Sequence, residues 1–442
     1  MVKKQIHFGV FLMGTGHHMA SWRHPDVPAD GFEDFKYYQE IAGIAEKGKL
    51  DMLFLSDGLS FNRLSHPAEI VRFDPLTLLP ALAVVTSKIG LVATASTTYN
   101  EPFHIARKFS SMDHLSNGRS AWNVVTSYYE HEAGNFGKNK HLAHDLRYER
   151  ATEFVEVVKG LWDSWEAGAL IRDKKSGVYY EPDKLHTLNH EGKHFYVKGP
   201  LNSSRSPQGR PVIIQAGSSE AGTTLAAQTA DVIFTAQQTL EDAQKFYEKV
   251  KRKVIDFDRN PDEVKIMPGV SPFIGRTEAE ARKKYEQLQD LIVPEVGLDF
   301  LSDYLGGMDF SNYSLDEPLP EVIPETNGNQ SRRELIIDLA RRENLTIRQL
   351  YKRIAGSRGH WTIFGTPEQI ADQLESWIIG KGADGFNLMF QYFPGGLSDF
   401  VEQVIPILQK RGVFRTEYSD VTLRGHLSLS IPESRYAELK MN

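Results

Sequence analysis

Short apolar runs recur along this chain, and most are followed by a stretch of helical periodicity. The runs fall at 5–12, 51–56, 88–96, 120–125, 211–215, 231–235, 265–274 and 385–390. Successive apolar positions, many β-branched or aromatic, predict strands buried on both faces, as in a parallel sheet flanked by helices. Helices are expected at 32–48, where Phe35, Tyr38, Ala42 and Ala45 share a face, and at 75–86, where Asp74-Pro75 supplies a cap and a first-turn proline. Others are expected at 102–115, 150–165, 219–229, 239–256 and 398–411. Thr277-x-x-Glu280, Ser331-x-x-Glu334 and Thr346-x-x-Gln349 read as capping boxes opening three more, and Thr366-Pro367-Glu368-Gln369 starts a strongly amphipathic one.

Eight strands alternating with helices predict an α/β fold, a (β/α)8 TIM barrel, as one domain over 1–442. Insertions are expected after strands 4 and 7, at about 128–205 and 294–360, followed by a C-terminal tail at 413–442. A small hairpin is expected in the first insertion, Leu185–Asn189 against His194–Val197. A doubly wound open sheet is the alternative. The lack of a Gly-x-Gly-x-x-Gly fingerprint after strand one speaks against a Rossmann site.

Composition narrows the chemistry. The net charge is −7, from 51 basic and 58 acidic residues, so nothing points to nucleic acid as a partner. With no cysteine, disulfides, thiolate metal sites and cysteine nucleophiles are excluded. Lys3 and Lys4 precede an apolar run, but His7 and Gly9 interrupt it, and it reads as a first strand rather than a targeting segment. No stretch approaches a membrane span, and a cytoplasmic location is expected.

In a barrel the chemistry lies where strands run into loops. Those positions hold His17 and His18; Ser56, Asp57 and Gly58; Thr94–Thr97; Asn123, Thr126 and Ser127; and, further on, His141, His144, Arg147 and Tyr148. The set is rich in hydrogen-bonding groups and poor in acid–base pairs, and no Gly-x-Ser-x-Gly elbow is present. No catalytic acid or base is singled out, and no metal set: adjacent His17 and His18 point apart on a strand, and His141/His144 lack a carboxylate partner. Pro211–Ser219 reads as a buried strand, a tight turn at Gly217 and a helix start with Ser218 and Ser219 at its positive end. That is a recipe for an anion site, and also for a plain serine cap, the commoner of the two.

Several stretches carry a resemblance. They are 16–25 (GHHMASWRHP), 54–58 (FLSDG), 113–127 (DHLSNGRSAWNVVTS), 147–149, 211–219 and 364–370 (FGTPEQI), spread over nearly the whole chain. The chain resembles the bacterial-luciferase-like flavin monooxygenases. Within them it is similar to the group of nitrilotriacetate monooxygenase component A, long-chain alkane monooxygenase and dibenzothiophene-sulfone monooxygenase, and to monooxygenases of bacillar sulfur-compound utilisation.

The resemblance implies FMN, used as FMNH2 from a separate NAD(P)H-dependent flavin reductase, and oxygenation through a flavin C4a-(hydro)peroxide. It implies a small organosulfur or amino-carboxylate substrate, with C–S or C–N cleavage, and a homodimer or homotetramer. By position, Asp57, Thr94, His144, Tyr148, Ser218 and Ser219 match the family's FMN contacts, the serines at the phosphate and Asp57 and Thr94 nearer the ring. The segment 294–360 is the expected lid. Arg23, with His17, His18 and His24, is a candidate for holding a substrate carboxylate. Two alternatives stay open: a deazaflavin-dependent hydride-transfer oxidoreductase, and a non-catalytic FMN-binding protein.

Overall fold

Eight strands close into a parallel barrel: β1 (His7–Leu12), β2 (Met52–Leu55), β3 (Gly90–Ser96), β4 (Ser120–Val125), β5 (Val212–Ala216), β6 (Val232–Thr235), β7 (Lys265–Ile274) and β8 (Gly385–Leu388). The computed structural model describes residues 4–61, 67–127, 129–217, 219–325 and 330–437. Each strand pairs in parallel with the next, and the ring shuts where His7 lies opposite Gly385 and Val10 opposite Leu388. The TIM barrel expected from the apolar runs is the fold, because strands buried on both faces need a helix layer outside and packed side chains inside.

One strand was not legible as such. Trp361–Gly365 pairs in parallel with Val270–Ile274, beyond the part of β7 that pairs with β6. Val270 faces Trp361 on one side and Leu388 on the other, so the added strand takes the edge that β6 leaves. The ten-residue length of β7 was the available signal, since it outruns the four residues of β6. The hairpin is shorter and later than expected: His190–Glu191 pairs with Tyr196–Val197.

Helix starts follow the capping chemistry closely. Thr346 and Thr366 each form a complete capping box, with Gln349 and Gln369. Thr277 caps Glu280 N, but the Glu280 carboxylate turns to Arg276. Ser331, the expected start of the third box, lies within the helix Gln330–Arg342. The last long helix is split, with a π-helical segment Phe400–Val404 ahead of Pro406, whose missing N–H breaks the regular ladder.

The tail is part of the barrel rather than an appendage. Leu423, Leu427 and Leu429 pack among Met52, Val92, Val212, Val232 and Met267, near the N-terminal ends of the strands. Arg424 pairs with Asp231, just before β6, at 2.9 Å. A Cβ on Gly90 would come within 2.5 Å of Leu423, so glycine at the start of β3 makes room for the plug. At the other end, helices Pro294–Tyr304, Gln330–Arg342 and Ile347–Ser357 share their own apolar core, which includes Met19 and Ala20 from the loop after β1.

Candidate active site

A cavity of about 610 Å³ opens at the C-terminal ends of the strands. Five residues picked out by resemblance line it: Asp57, Thr94, His144, Tyr148 and Ser219. Ser218 lies outside the described residues. His144 and Tyr148 sit one turn apart on the helix His144–Trp162, which starts before the position expected, so both aim the same way. Their rings lie 4.8 Å apart.

The corner after β5 is built from small groups. Ser219 caps the helix Glu220–Thr229, its Oγ accepting from Gly222 N at 3.1 Å. A Cβ on Gly222 would meet Ser219 Oγ at 3.0 Å and the Tyr148 hydroxyl at 3.2 Å, so glycine there lets the tyrosine reach the first turn of the helix. A Cβ on Gly217 would touch only Gly222 Cα, at 3.7 Å. The cap and the anion site are therefore compatible: the serine oxygen satisfies one N–H, while the helix end keeps its positive field.

Deeper in, hydrogen-bond direction is fixed by the chemistry of each partner. Thr94 Oγ1 donates to the Leu55 carbonyl at 2.9 Å, so it can only accept from Asn123 Nδ2, at 2.8 Å. Asn123 Oδ1 is thereby presented as a buried acceptor with no partner among the described residues. Gln215 Oε1 and Asn387 Oδ1 are orphaned in the same way. Buried polar groups without partners are costly and mark places where something else bonds. Phe11, Phe54 and Phe234 pack in series as tilted rings, centroids 4.5 and 4.9 Å apart, and give the cavity an apolar wall.

Asp57 accepts from Gly58 N at 2.9 Å. Burial raises its pKa to about 7, against the pull of Arg72. Arg72, Arg147, Arg332 and Arg358 bring positive charge to the lining. Arg358 pairs with Glu69 at 3.3 Å. Arg332 donates to the Arg358 carbonyl at 2.6 Å and to His360 Nε2 at 3.1 Å. A guanidinium cannot accept, so His360 carries its proton on Nδ1. Burial, with Arg332 beside it, holds its pKa well below the ordinary histidine range.

Other candidates lie elsewhere. His17 and His18 are buried outside the cavity lining, with pKa values lowered to about 3, by burial above all. The His17 ring packs on Phe11 and bonds the Phe11 carbonyl at 2.9 Å. His24 stacks on Tyr392 at 4.2 Å, and Arg23 donates to the Leu291 carbonyl. None of His17, His18, Arg23 and His24 lines the cavity. His141 bonds the Tyr99 hydroxyl at 2.6 Å. Among the described residues no group of three or more His, Asp or Glu could hold a metal. Sequence reading missed Arg72, Arg332, Arg358 and His360. They lie in loops and in the long segment between β7 and β8, where no periodicity announces which side chains turn inward.

A barrel with a helix-end anion cradle, an aromatic wall and orphaned buried hydrogen-bonding groups defines an enzyme that holds a phosphorylated aromatic cofactor at its strand ends. Comparison with known proteins agrees. A family model described as luciferase-like monooxygenase matches residues 6–384, and the chain belongs to that family. It is similar to the N-acetyl-S-(2-succino)cysteine monooxygenase of Bacillus subtilis (strain 168), 59% identical over 99% of both chains. It is also similar to nitrilotriacetate monooxygenase component A of Aminobacter aminovorans, 51% identical over 98% of this chain and 99% of that one. The crystal structure of a riboflavin lyase with modified FMN and riboflavin superposes with a TM-score of 0.85 at 35% identity, covering 96% of each chain. The protein is a flavin-dependent monooxygenase with FMN as cofactor, used in its reduced form, and a partner flavin reductase is implied. The residues present fit that cofactor: a helix-end cradle for the phosphate, orphaned acceptors for its N–H groups and an apolar wall for its ring.

Proposed function

We propose that this chain is the oxygenase component of a two-component system acting on a small, carboxylate-bearing organosulfur or amino-carboxylate compound. Oxygenation falls on the carbon next to sulfur or nitrogen. The hydroxylated carbon then collapses to a carbonyl, and the C–S or C–N bond breaks to release a thiol or an amine. The observation that carries the substrate reading is the arginine-lined mouth above a neutral, hydrogen-bonding floor. Relatives named for a succinylated cysteine and for nitrilotriacetate support it.

Bound reduced FMN supplies the two electrons that activate dioxygen and deliver one oxygen atom. The chain's own residues do the rest. Tyr148, His144 and Ser219, with Ser218 by its place in the sequence, would hold the phosphate end at the start of the helix Glu220–Thr229. Asp57 and Thr94 would stand nearer the ring, and Asn123 Oδ1 would be placed to accept a hydrogen bond from it. The apolar wall and the 294–360 segment over the mouth keep bulk water from the reaction, which would otherwise run to hydrogen peroxide. The chain works as one barrel domain, with the segments 128–205 and 294–360 as its long insertions. It acts in the cytoplasm as a homodimer or homotetramer fed by an NAD(P)H-dependent reductase. Among the described residues no helix is long and apolar enough to cross a membrane.

The test is a coupled assay: FMN, NADH, a flavin reductase, air and candidate thioethers and amino-carboxylates, with product identified by mass spectrometry. Incorporation of one atom of ¹⁸O from ¹⁸O2 into product is expected. Turnover that continues without oxygen would favour hydride transfer instead, and hydrogen peroxide as the sole product with every candidate would remove the substrate class.

A further inference from the structure

Arg72 differs from Arg147 and Arg358, whose unbonded Nε and Nη atoms are shut away from solvent, in that its guanidinium is accessible. Arg358 is paired with Glu69, Arg332 is spent on a carbonyl and on His360, and Arg342 donates to Gln238 Oε1 at 2.5 Å. Arg147 is almost wholly buried in the wall. Arg72 is half-buried and lines the cavity, and its only hydrogen bond among the described residues runs from Nη2 to the Glu69 carbonyl at 3.2 Å. It makes no ion pair there, although Asp57 lies close enough to feel its charge. A guanidinium has five N–H donors in a planar fork, and here most of the fork is unspent.

The local backbone leaves that fork accessible. A Cβ on Gly58 would stand 3.5 Å from Arg72 Nη2 and 3.8 Å from the Tyr129 ring, so the glycine keeps the space between them open. Asp57 makes no ion pair with the guanidinium among the described residues; its Oδ1 accepts from Gly58 N at 2.9 Å. A strong cation therefore faces a partly apolar cavity with no ion pair to that carboxylate. Such a group favours an incoming anion with two coplanar oxygens.

We propose that Arg72 is the specificity residue that grips a carboxylate of the substrate, the role that sequence reading would give to Arg23. The inference rests on the functional reading above and deepens it. It assigns acid recognition to one side chain on the barrel wall beside Asp57, and not to the loop after β1. A substrate without a carboxylate gains nothing from Arg72.

The experiment compares the full-length enzyme with Arg72→Met and Arg72→Lys in the coupled assay, using S-(2-succino)cysteine derivatives or nitrilotriacetate and their methyl esters. Flavin affinity is followed by quenching of FMN fluorescence. Arg72→Met is expected to raise KM for the acid about ten- to a hundred-fold, as loss of a charge-assisted, bidentate contact would. KM for the ester, kcat and FMN affinity should change little. Arg72→Lys should recover part of the loss, because it restores charge without the fork. An unchanged KM for the acid, an equal rise for acid and ester, or a loss confined to FMN affinity would each overturn the assignment. If Arg72→Met does not fold, Arg72→Lys decides alone by the same acid-to-ester comparison. No oxygenation of any acid or ester by the unmodified enzyme would overturn the functional reading, and this proposal with it.

Discussion

At the N-terminal end of the barrel, Arg119 spends five N–H donors on Ser116, Ala83, Thr86 and Ile89, at 2.7–3.1 Å. Further along the same strand, toward the cavity, Asn123 keeps a buried amide oxygen with no partner among the described residues. Both are deeply buried polar side chains on or beside β4. The lower one is fastened to neighbouring backbone and the upper one waits for something outside the chain. The contrast extends around the ring: leucines of the tail close the bottom, while orphaned amides and arginines ring the top. Stability is concentrated where every strand begins and binding where every strand ends, so the mouth can hold unsatisfied groups that a lone small core could not sustain.

The most disruptive test of that division is at the plug. Leu423→Ala should cost about 2–5 kcal/mol in urea unfolding, because Leu423 is fully buried and the glycine-lined socket cannot collapse onto alanine. FMN affinity of the folded fraction should be unchanged. If affinity fell in step with stability, the two ends would not be independent.

The next test uses pH. Asp57 has a folded pKa of about 7, above an unfolded value of about 3.9, so the folded state binds the extra proton between the two. Its contribution is favourable below the unfolded value and is lost as pH rises through about 7. Asp57→Asn should flatten the decline in melting temperature across that window. A pH–stability profile identical to that of the unmodified protein would show that Asp57 is charged and well accommodated throughout.

Smaller effects are expected at the helix-end cradle. Tyr148→Phe should weaken FMN binding about tenfold, the worth of one hydrogen bond to a charged group, with little change in melting temperature. Ser219→Ala should cost about 1 kcal/mol of stability as a lost cap and weaken FMN as well. A pure capping role would leave the flavin titration untouched. The smallest effect is expected at Arg23, which is exposed and bonded to Leu291. Arg23→Ala should leave KM for an acidic substrate where it was, and a marked rise would return carboxylate binding to that loop.

Much of this architecture can be read without coordinates, for physical reasons. A strand buried on both faces must be apolar along its length, so β1 to β8 stand out against amphipathic helices, and capping residues mark helix starts at Thr277, Thr346 and Thr366. The end of each strand names its own candidates, which is how Asp57, Thr94, Tyr148 and Ser219 come to one cavity. The short pairing of Trp361–Gly365 and the leucine plug were not legible. Each depends on a partner far away in the chain, β7 in one case and the barrel floor in the other.

The sequence by itself determined the barrel and the corner after β5, because periodicity, caps and small-residue turns are local properties, and its motif stretches carried the resemblance to the family. Only the tertiary structure decided that Ser219 caps its helix and also lines the cavity, that Arg23 turns toward Leu291 and that Arg72 faces the cavity with most of its fork unspent. Which of several arginines keeps free donors depends on what every neighbouring element has already claimed, and that is settled only when the ring of strands has closed.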